Sequence, residues 1–172
     1  CPYVFFGTTE TIALAKQFRR ELPTHCIELE LTEFHTSRYK SDFLAHPTHC
    51  PSAELNMIWN EKLFLIQRAA HLNPFGSDWF MWADAGVCTY RTTPPPLTPF
   101  PSVKKLAGLP NNALLYTSSD SPLFQPDRVS DSNYYHFISG IYAIHKDAIN
   151  RFVELYGSYL ATYVPKRCNI FT

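Results

Sequence analysis

The stretch Trp79-Phe80-Met81-Trp82-Ala83-Asp84-Ala85-Gly86 decides the predicted fold of this chain. Residues 79–83 form an unbroken apolar run of strand length, which predicts a strand buried on both faces. Asp84, followed closely by Gly86, ends that strand. Because ligands of open α/β sheets bind just beyond the carboxyl ends of the strands, we predict that Asp84 lies at the ligand-facing end of a central strand.

The residues before this strand predict a strand-helix-strand opening. An apolar run over residues 2–6 is followed, from Thr8, by threonines that are typical of a helix N-cap. Alternating apolar and acidic residues over 27–31 predict a second strand. Such a unit favours a parallel sheet with a right-handed crossover. The helix is expected to bury four apolar residues at helical spacing, which are Ile12, Ala15, Phe18 and Leu22.

The rest of the chain continues the alternation of helices and strands. In order, we predict a loop over 34–50, a helix over 52–72, a turn over 73–76, a proline-rich excursion over 92–101, a short strand over 113–116, a polar loop over 117–132, an apolar strand over 137–144 and a helix from 147. The sequence therefore predicts a single α/β domain with a mainly parallel central sheet flanked by helices.

Composition and charge exclude several classes of protein. Of the 172 residues, 45% are hydrophobic and 17% are charged, which is typical of a folded domain. Fifteen basic side chains balance fifteen acidic ones, so no net charge favours nucleic acid or an anionic membrane. No apolar run approaches the roughly 20 residues that span a bilayer. We expect no nucleic-acid partner, and membrane contact only through segments outside this sequence.

The first residue and the cysteines bear on processing and metals. A chain that begins at Cys1 looks cut from a longer one, so the compartment stays open: the cytoplasm for a bacterial protein, the secretory-pathway lumen for a eukaryotic one. The five cysteines form no C-x-x-C pair, which argues against structural zinc. The His-Pro-Thr-His-Cys cluster over 46–50 offers metal ligands, but an ordinary polar loop is the favoured alternative.

Lys62 stands out on the helix predicted over 52–72. At about 100° per residue it falls in the middle of an apolar arc. That arc consists of Leu55, Ile58, Trp59, Ile66 and Ala69. An ammonium group on a core face needs a nearby anion or a route to solvent. We expect the anion to be Asp84 or a bound phosphate, and a lysine that merely reaches solvent is the alternative. Asn60 and Glu61 lie off the arc and are expected at the surface.

The order of these features resembles one protein family. The segments Ile58-Trp59-Asn60-Glu61-Lys62, Asn73-Pro74-Phe75-Gly76-Ser77-Asp78 and Phe80-Met81-Trp82-Ala83-Asp84-Ala85-Gly86 are similar to the HtrL/YibB-like family. That family looks like nucleotide-sugar glycosyltransferases of the GT-A type. The resemblance covers most of the chain, and its W-N-x-K and W-x-D-A-G motifs are moderately specific. It implies a Rossmann-like GT-A domain.

Carried over residue by residue, the resemblance implies a donor site. A D-x-D at the end of a central strand holds a divalent metal and the ribose in GT-A enzymes, so Asp84 would be the first D-x-D carboxylate, a catalytic and metal-binding residue. The second Asp of D-x-D is Gly86 here, so Mn2+ or Mg2+ would have fewer protein ligands than is usual. The donor would be contacted by Asn60, Lys62, Asp84, Gly86, Ser139 and Gly140.

The implied reaction moves a sugar from a nucleotide-sugar, such as a UDP-sugar, to a hydroxyl of a glycan, lipid-linked or protein acceptor. Lys62 or a metal would neutralise the leaving diphosphate. Arg91 either pairs with a phosphate or lies at the surface.

The alternatives to a glycosyltransferase are a nucleotidyltransferase-like enzyme and a catalytically degenerate domain that binds nucleotide or glycan. Because GT-A-like enzymes place further contacts after the last helix, residues 1–172 are expected to be C-terminally incomplete. The catalytic base stays open among Asp120, Asp127, Asp131 and His136.

Overall fold

The computed structural model describes residues 1–45, 47, 50–84, 101–118 and 138–166. The chain divides into two compact units, the first built from residues 1–77 and 151–171 and the second mainly from residues 78–150. That residues 1–172 form one domain stays a prediction.

The first unit begins with the predicted strand-helix-strand motif. β1 (Tyr3–Gly7) and β2 (Thr24–Glu28) pair in parallel, and α1 (Thr9–Arg19) connects them. The Thr8 side chain caps α1 by accepting a hydrogen bond from the backbone N–H of Thr11 at 3.5 Å. The parallel opening and the cap are therefore confirmed.

The prediction that one face of α1 lies in the core is wrong. No residue of α1 is buried, although Ile12, Ala15 and Phe18 were expected in the core. Phe18 is 76% exposed, and Leu22, just after the helix, is 54% exposed. The described sheet of this unit is only two strands wide, so it offers little surface for the apolar stripe of a three-turn helix to cover.

β2 lies earlier than the strand predicted over 27–31, and a short 3-10 helix, Leu31–Glu33, begins where that strand was expected to end. A second 3-10 helix, His35–Tyr39, lies where a plain loop was predicted over 34–50. α2 (Ala53–Leu72) follows them. It begins with the Ser52 hydroxyl accepting a hydrogen bond from the Leu55 N–H at 3.0 Å, and it ends at Asn73, whose φ is 35°. Both bounds of this helix agree with the sequence prediction, because an N-cap serine and a left-handed asparagine are local signals.

α2 supplies much of the core of the first unit, but with a different face from the one predicted. Its buried residues are Asn56, Met57, Asn60, Glu61, Phe64, Leu65, Ile66 and Ala69. Leu55, Ile58 and Trp59 of the predicted arc are only half-buried. Met57 lies about 200° around the helix from Leu55, so over the first turns the buried face is almost opposite the predicted one.

The expectation that Asn60 and Glu61 lie at the surface is also wrong. Their exposed fractions are 0% and 3%. Both side chains have hydrogen-bond partners inside the first unit, which lowers the cost of burying them. A helical wheel coloured by hydrophobicity cannot register such partners.

The second unit contains an antiparallel sheet with the order β3-β5-β4. The strands are β3 (Trp79–Ala83), β4 (Leu114–Ser118) and β5 (Ile138–His145). A short helix, α3 (Val103–Ala107), precedes β4, and α4 (Lys146–Tyr163) starts directly after β5. The predicted positions of all three strands are confirmed.

The described residues form a mixed α/β structure, but they do not form the mainly parallel central sheet that was predicted. A two-stranded parallel sheet and a separate three-stranded antiparallel sheet take its place. Within the described ranges β3 is an edge strand, because β5 pairs between β3 and β4. The prediction of a strand buried on both faces is wrong too: no β3 residue is buried, and Met81 is 36% exposed. An apolar run predicts where a strand forms, but it does not indicate which strands pair with it.

None of the described helices has the length and hydropathy needed to cross a bilayer.

Candidate functional site

Asp84 directly follows β3, so it lies at the carboxyl end of that strand. Its backbone N–H donates a hydrogen bond to the carbonyl oxygen of Gly140 in β5 at 2.8 Å. Its Oδ1 accepts a hydrogen bond from the indole Nε1–H of Trp82 at 2.6 Å. Trp82 and Asp84 are two residues apart, which places their side chains on the same face of the strand. The indole thus orients the half-buried carboxylate.

Gly140 is the second predicted donor-binding residue that the structure brings to this end of the sheet. Its φ of 26° lies in the left-handed region, which a residue with a side chain rarely adopts. Ser139 precedes it in β5, and only its backbone is described. The hydrogen bond between Asp84 and Gly140 therefore joins two residues that the sequence assigned separately to one site.

Lys62 is half-buried on α2 in the first unit. Its Nζ lies 6.0 Å from the centre of the Trp59 ring, at the outer limit of a cation–π contact. Lys62 and Asp84 belong to different units. Their expected pairing, directly or through a phosphate, stays a prediction.

Asn60 is the centre of a buried hydrogen-bond network between α2 and α4. Its Nδ2 donates to the carbonyl oxygen and to Oδ1 of Asn56, both at 2.8 Å. Its Oδ1 accepts a hydrogen bond from the Tyr156 hydroxyl at 2.6 Å. Both amide hydrogens and the amide oxygen are thus used. A contact between Asn60 and a sugar nucleotide, as the resemblance implies, would require this network to open.

Glu61 is a functional-site candidate that the sequence reasoning missed. Its Oε1 accepts a hydrogen bond from the His35 N–H at 2.9 Å, and its Oε2 accepts from the Thr36 N–H at 2.9 Å and the Thr36 hydroxyl at 2.7 Å. Burial raises the pKa of Glu61, while these donors and the Arg38 charge act in the opposite direction. The carboxylate fastens the second 3-10 helix to α2. The burial of Glu61 could have been predicted from its position on the helix, four residues from Met57 and four from Leu65, which are both apolar.

Two clefts open beside α2 in the first unit. The larger has a volume of about 540 Å3 and lies between β2 and the C-terminal half of α2; the smaller has a volume of about 300 Å3 and lies beside the 3-10 helices. Phe64, Gln67 and Arg68 line both clefts. Of the residues predicted to bind a donor, those whose side chains the structure describes line neither of them.

The described ranges contain no group of three or more His, Cys, Asp or Glu side chains that could hold a metal ion together. Hard divalent cations take six or more oxygen ligands. Asp84 therefore does not belong to a complete protein cage in this part of the chain, and a cation there would need the diphosphate oxygens of a donor and water. Cys50, from the 46–50 cluster, is a free and fully buried thiol whose pKa is raised by burial.

Several predicted features fall outside the described residues. They are Gly86, Arg91, most of the proline-rich excursion, most of the polar loop over 117–132 and the four candidate bases Asp120, Asp127, Asp131 and His136.

Comparison with known proteins identifies a family. The model of a family described as a bacterial protein of unknown function (HtrL_YibB) matches residues 8–100, which is more than half of the chain. The matched region includes Asn60, Lys62 and Asp84 and ends before Ser139 and Gly140. No curated protein and no solved structure matches the chain. The family resemblance noted in the sequence is confirmed.

Proposed function

This chain belongs to the HtrL_YibB family, and from there we propose that it is a glycosyltransferase of the GT-A type that moves a sugar from a UDP-sugar or related nucleotide-sugar to a hydroxyl acceptor. The proposal rests on the similarity of W-x-D-A-G to the D-x-D region of such enzymes. One observation carries it: the 2.8 Å hydrogen bond from the Asp84 backbone N–H to the Gly140 carbonyl oxygen pairs an aspartate with a glycine at one end of a sheet.

The chemistry of these residues suits a nucleotide-sugar. A carboxylate oriented by the Trp82 indole can accept hydrogen bonds from ribose hydroxyls. Gly140 has no side chain, so a ligand can approach its backbone closely. In the proposed reaction the bond between the anomeric carbon and the diphosphate oxygen breaks, and the acceptor oxygen bonds to that carbon and loses its proton. Lys62 offsets the negative charge that develops on the diphosphate.

A divalent cation, Mn2+ or Mg2+, is part of the proposal as an activator at Asp84. It would supply further positive charge to the leaving group. Asp84 is the one residue assigned to hold it.

The direct test is release of UDP from a panel of UDP-sugars, with and without added Mn2+ and simple glycan acceptors. Asp84→Asn keeps the acceptor oxygen for the Trp82 indole and removes the charge. We expect the rate to fall by about a hundredfold or more, as for other groups that stabilise a transition state electrostatically. Asp42→Asn, the same change at a half-buried aspartate of the first unit, should leave the rate unchanged. A near wild-type rate for Asp84→Asn contradicts the proposal.

Gly86 in place of the second Asp of D-x-D keeps the degenerate binding domain as the second candidate. Thermal unfolding with nucleoside diphosphates and triphosphates separates the candidates. Stabilisation by a diphosphate without turnover of any donor indicates a binding domain, and a preference for triphosphates indicates a nucleotidyltransferase-like enzyme.

A further inference from the structure

We propose that the two clefts along α2 form one groove that binds a phosphate monoester attached to an apolar ring. The clefts share Phe64, Gln67 and Arg68, so they are neighbours along one face of the helix. Their volumes of about 540 and 300 Å3 are those of small-molecule sites. Among the described residues, none that we assign to the donor site lines either cleft.

The larger cleft is the electropositive end of the groove. Arg68, His25 and His71 line it, and the described residues that line it include no carboxylate. Within the described part of the chain, the Arg68 and His25 side chains have no hydrogen bond or ion pair. A guanidinium group with open donors matches the geometry of a phosphate and binds it with two parallel hydrogen bonds. Arg68 and His71 are three residues apart on α2, so they lie on the same face of the helix.

An apolar surface lies one helical turn before the guanidinium. Phe64 lines both clefts, and Ile27 and Leu72 line the larger one. The Phe64 ring is held in place by stacking against the His35 ring, with 3.9 Å between ring centres and an angle of 11° between planes. The four residues from Phe64 to Arg68 correspond to about 6 Å along the helix, a distance that a ring and its ester phosphate can span.

The smaller cleft determines how the ligand is oriented in the groove. Glu33 and Glu61 line this cleft. Both carboxylates accept backbone hydrogen bonds, from Glu30 to Glu33 and from His35 and Thr36 to Glu61. When ionised, they have no proton to donate to a phosphate, and they repel it. The phosphate therefore lies at Arg68 in the larger cleft, away from both carboxylates, and the ring lies against the apolar residues of that cleft, which are Phe64, Ile27 and Leu72.

The test is a titration of the full chain with phenyl phosphate, followed by 31P NMR. We expect saturable binding that is about tenfold weaker for Arg68→Gln, and inorganic phosphate should bind about tenfold more weakly than phenyl phosphate because it lacks the ring. Arg151→Gln makes the same change at an exposed arginine of α4, outside both clefts, and should bind like the wild type. Asp84→Asn should also leave phenyl phosphate binding unchanged, so this result is independent of the glycosyltransferase assay.

Three outcomes overturn the proposal: no saturable binding, equal affinity in the wild type and Arg68→Gln, or equal affinity for phenyl phosphate and inorganic phosphate. Thermal unfolding of each variant shows whether it is folded. If Arg68→Gln does not fold, His25→Gln on β2 tests the same end of the groove from the opposite wall and should weaken binding.

Discussion

Removing the Thr36 hydroxyl should destabilise the first unit through its effect on Glu61. Thr36 is fully buried, and its Oγ1 atom lies 2.7 Å from Glu61 Oε2 and 3.2 Å from the Met57 carbonyl oxygen. Valine has nearly the same shape, so Thr36→Val deletes the hydrogen bond and creates little cavity. A hydrogen bond to a charged group contributes about 1.5–3 kcal/mol. Because Glu61 Oε2 keeps the Thr36 N–H, we expect a loss near the lower end, about 2 kcal/mol.

For a chain of this size, that loss corresponds to a Tm decrease of about 4–8 °C. The assay is urea unfolding at pH 7, followed by circular dichroism and checked by thermal scans. Thr162→Val is the matched control, since Thr162 is exposed on α4 and bonds only within its own helix. Its effect should stay within about 0.5 kcal/mol. Equal stability of Thr36→Val and the wild type would refute the argument that this carboxylate fastens the 3-10 helix to α2.

The same pair has a pH dependence whose sign is fixed by the structure. Burial raises the pKa of Glu61 above its ordinary value of 4.5, so the folded chain holds the proton more tightly than the unfolded chain. The contribution of Glu61 to stability is therefore full below pH 4.5 and declines as the pH rises through the folded pKa. The Thr36 hydroxyl favours the ionised form, so the difference between wild type and Thr36→Val should grow over that range. A difference that shrinks with rising pH would contradict this assignment.

Three further predictions address other contacts. Lys62→Met keeps the apolar stem and removes the charge, so it should weaken the binding of a donor nucleotide, measured by calorimetry, more than it lowers Tm; an unchanged dissociation constant argues against the proposed role of Lys62. Tyr156→Phe removes the 2.6 Å hydrogen bond to Asn60 and should cost about 1 kcal/mol in urea unfolding, whereas no loss would mean that the bond contributes nothing net. Lys146→Gln breaks an exposed 2.7 Å ion pair with Asp78, so its small effect on Tm should vanish in high salt; an effect that persists there would show that the pair is not screened by solvent.

The sequence predicted the elements better than their assembly. Thr8, Ser52 and Asn73 mark helix ends by interactions within a few residues, so the helix bounds followed from local patterns. The neighbours of a strand are set by residues far along the chain. The aromatic run of β3 is equally compatible with a central strand and with the edge strand that the structure shows.

The candidate site shows the same division. That Asp84 follows a strand was predictable from the apolar run before it. Its backbone hydrogen bond to Gly140 joins residues more than fifty positions apart, and no pattern in the sequence predicts it. Glu61 was placed at the surface because a carboxylate usually lies there, and its burial depends on backbone donors from a distant 3-10 helix.

The bond between Asn60 and Tyr156 has a consequence for how the family diverges. Losing the tyrosine hydroxyl alone removes the donor of a fully buried amide oxygen, and losing the asparagine removes the acceptor of that hydroxyl and a donor to Asn56 Oδ1, so a change at one position costs less when its partners in this network change with it. Evolution should therefore exchange these positions as a pair. In sister sequences, a leucine at the place of Asn60 should be inherited together with a phenylalanine at the place of Tyr156, although 96 residues of chain separate the two.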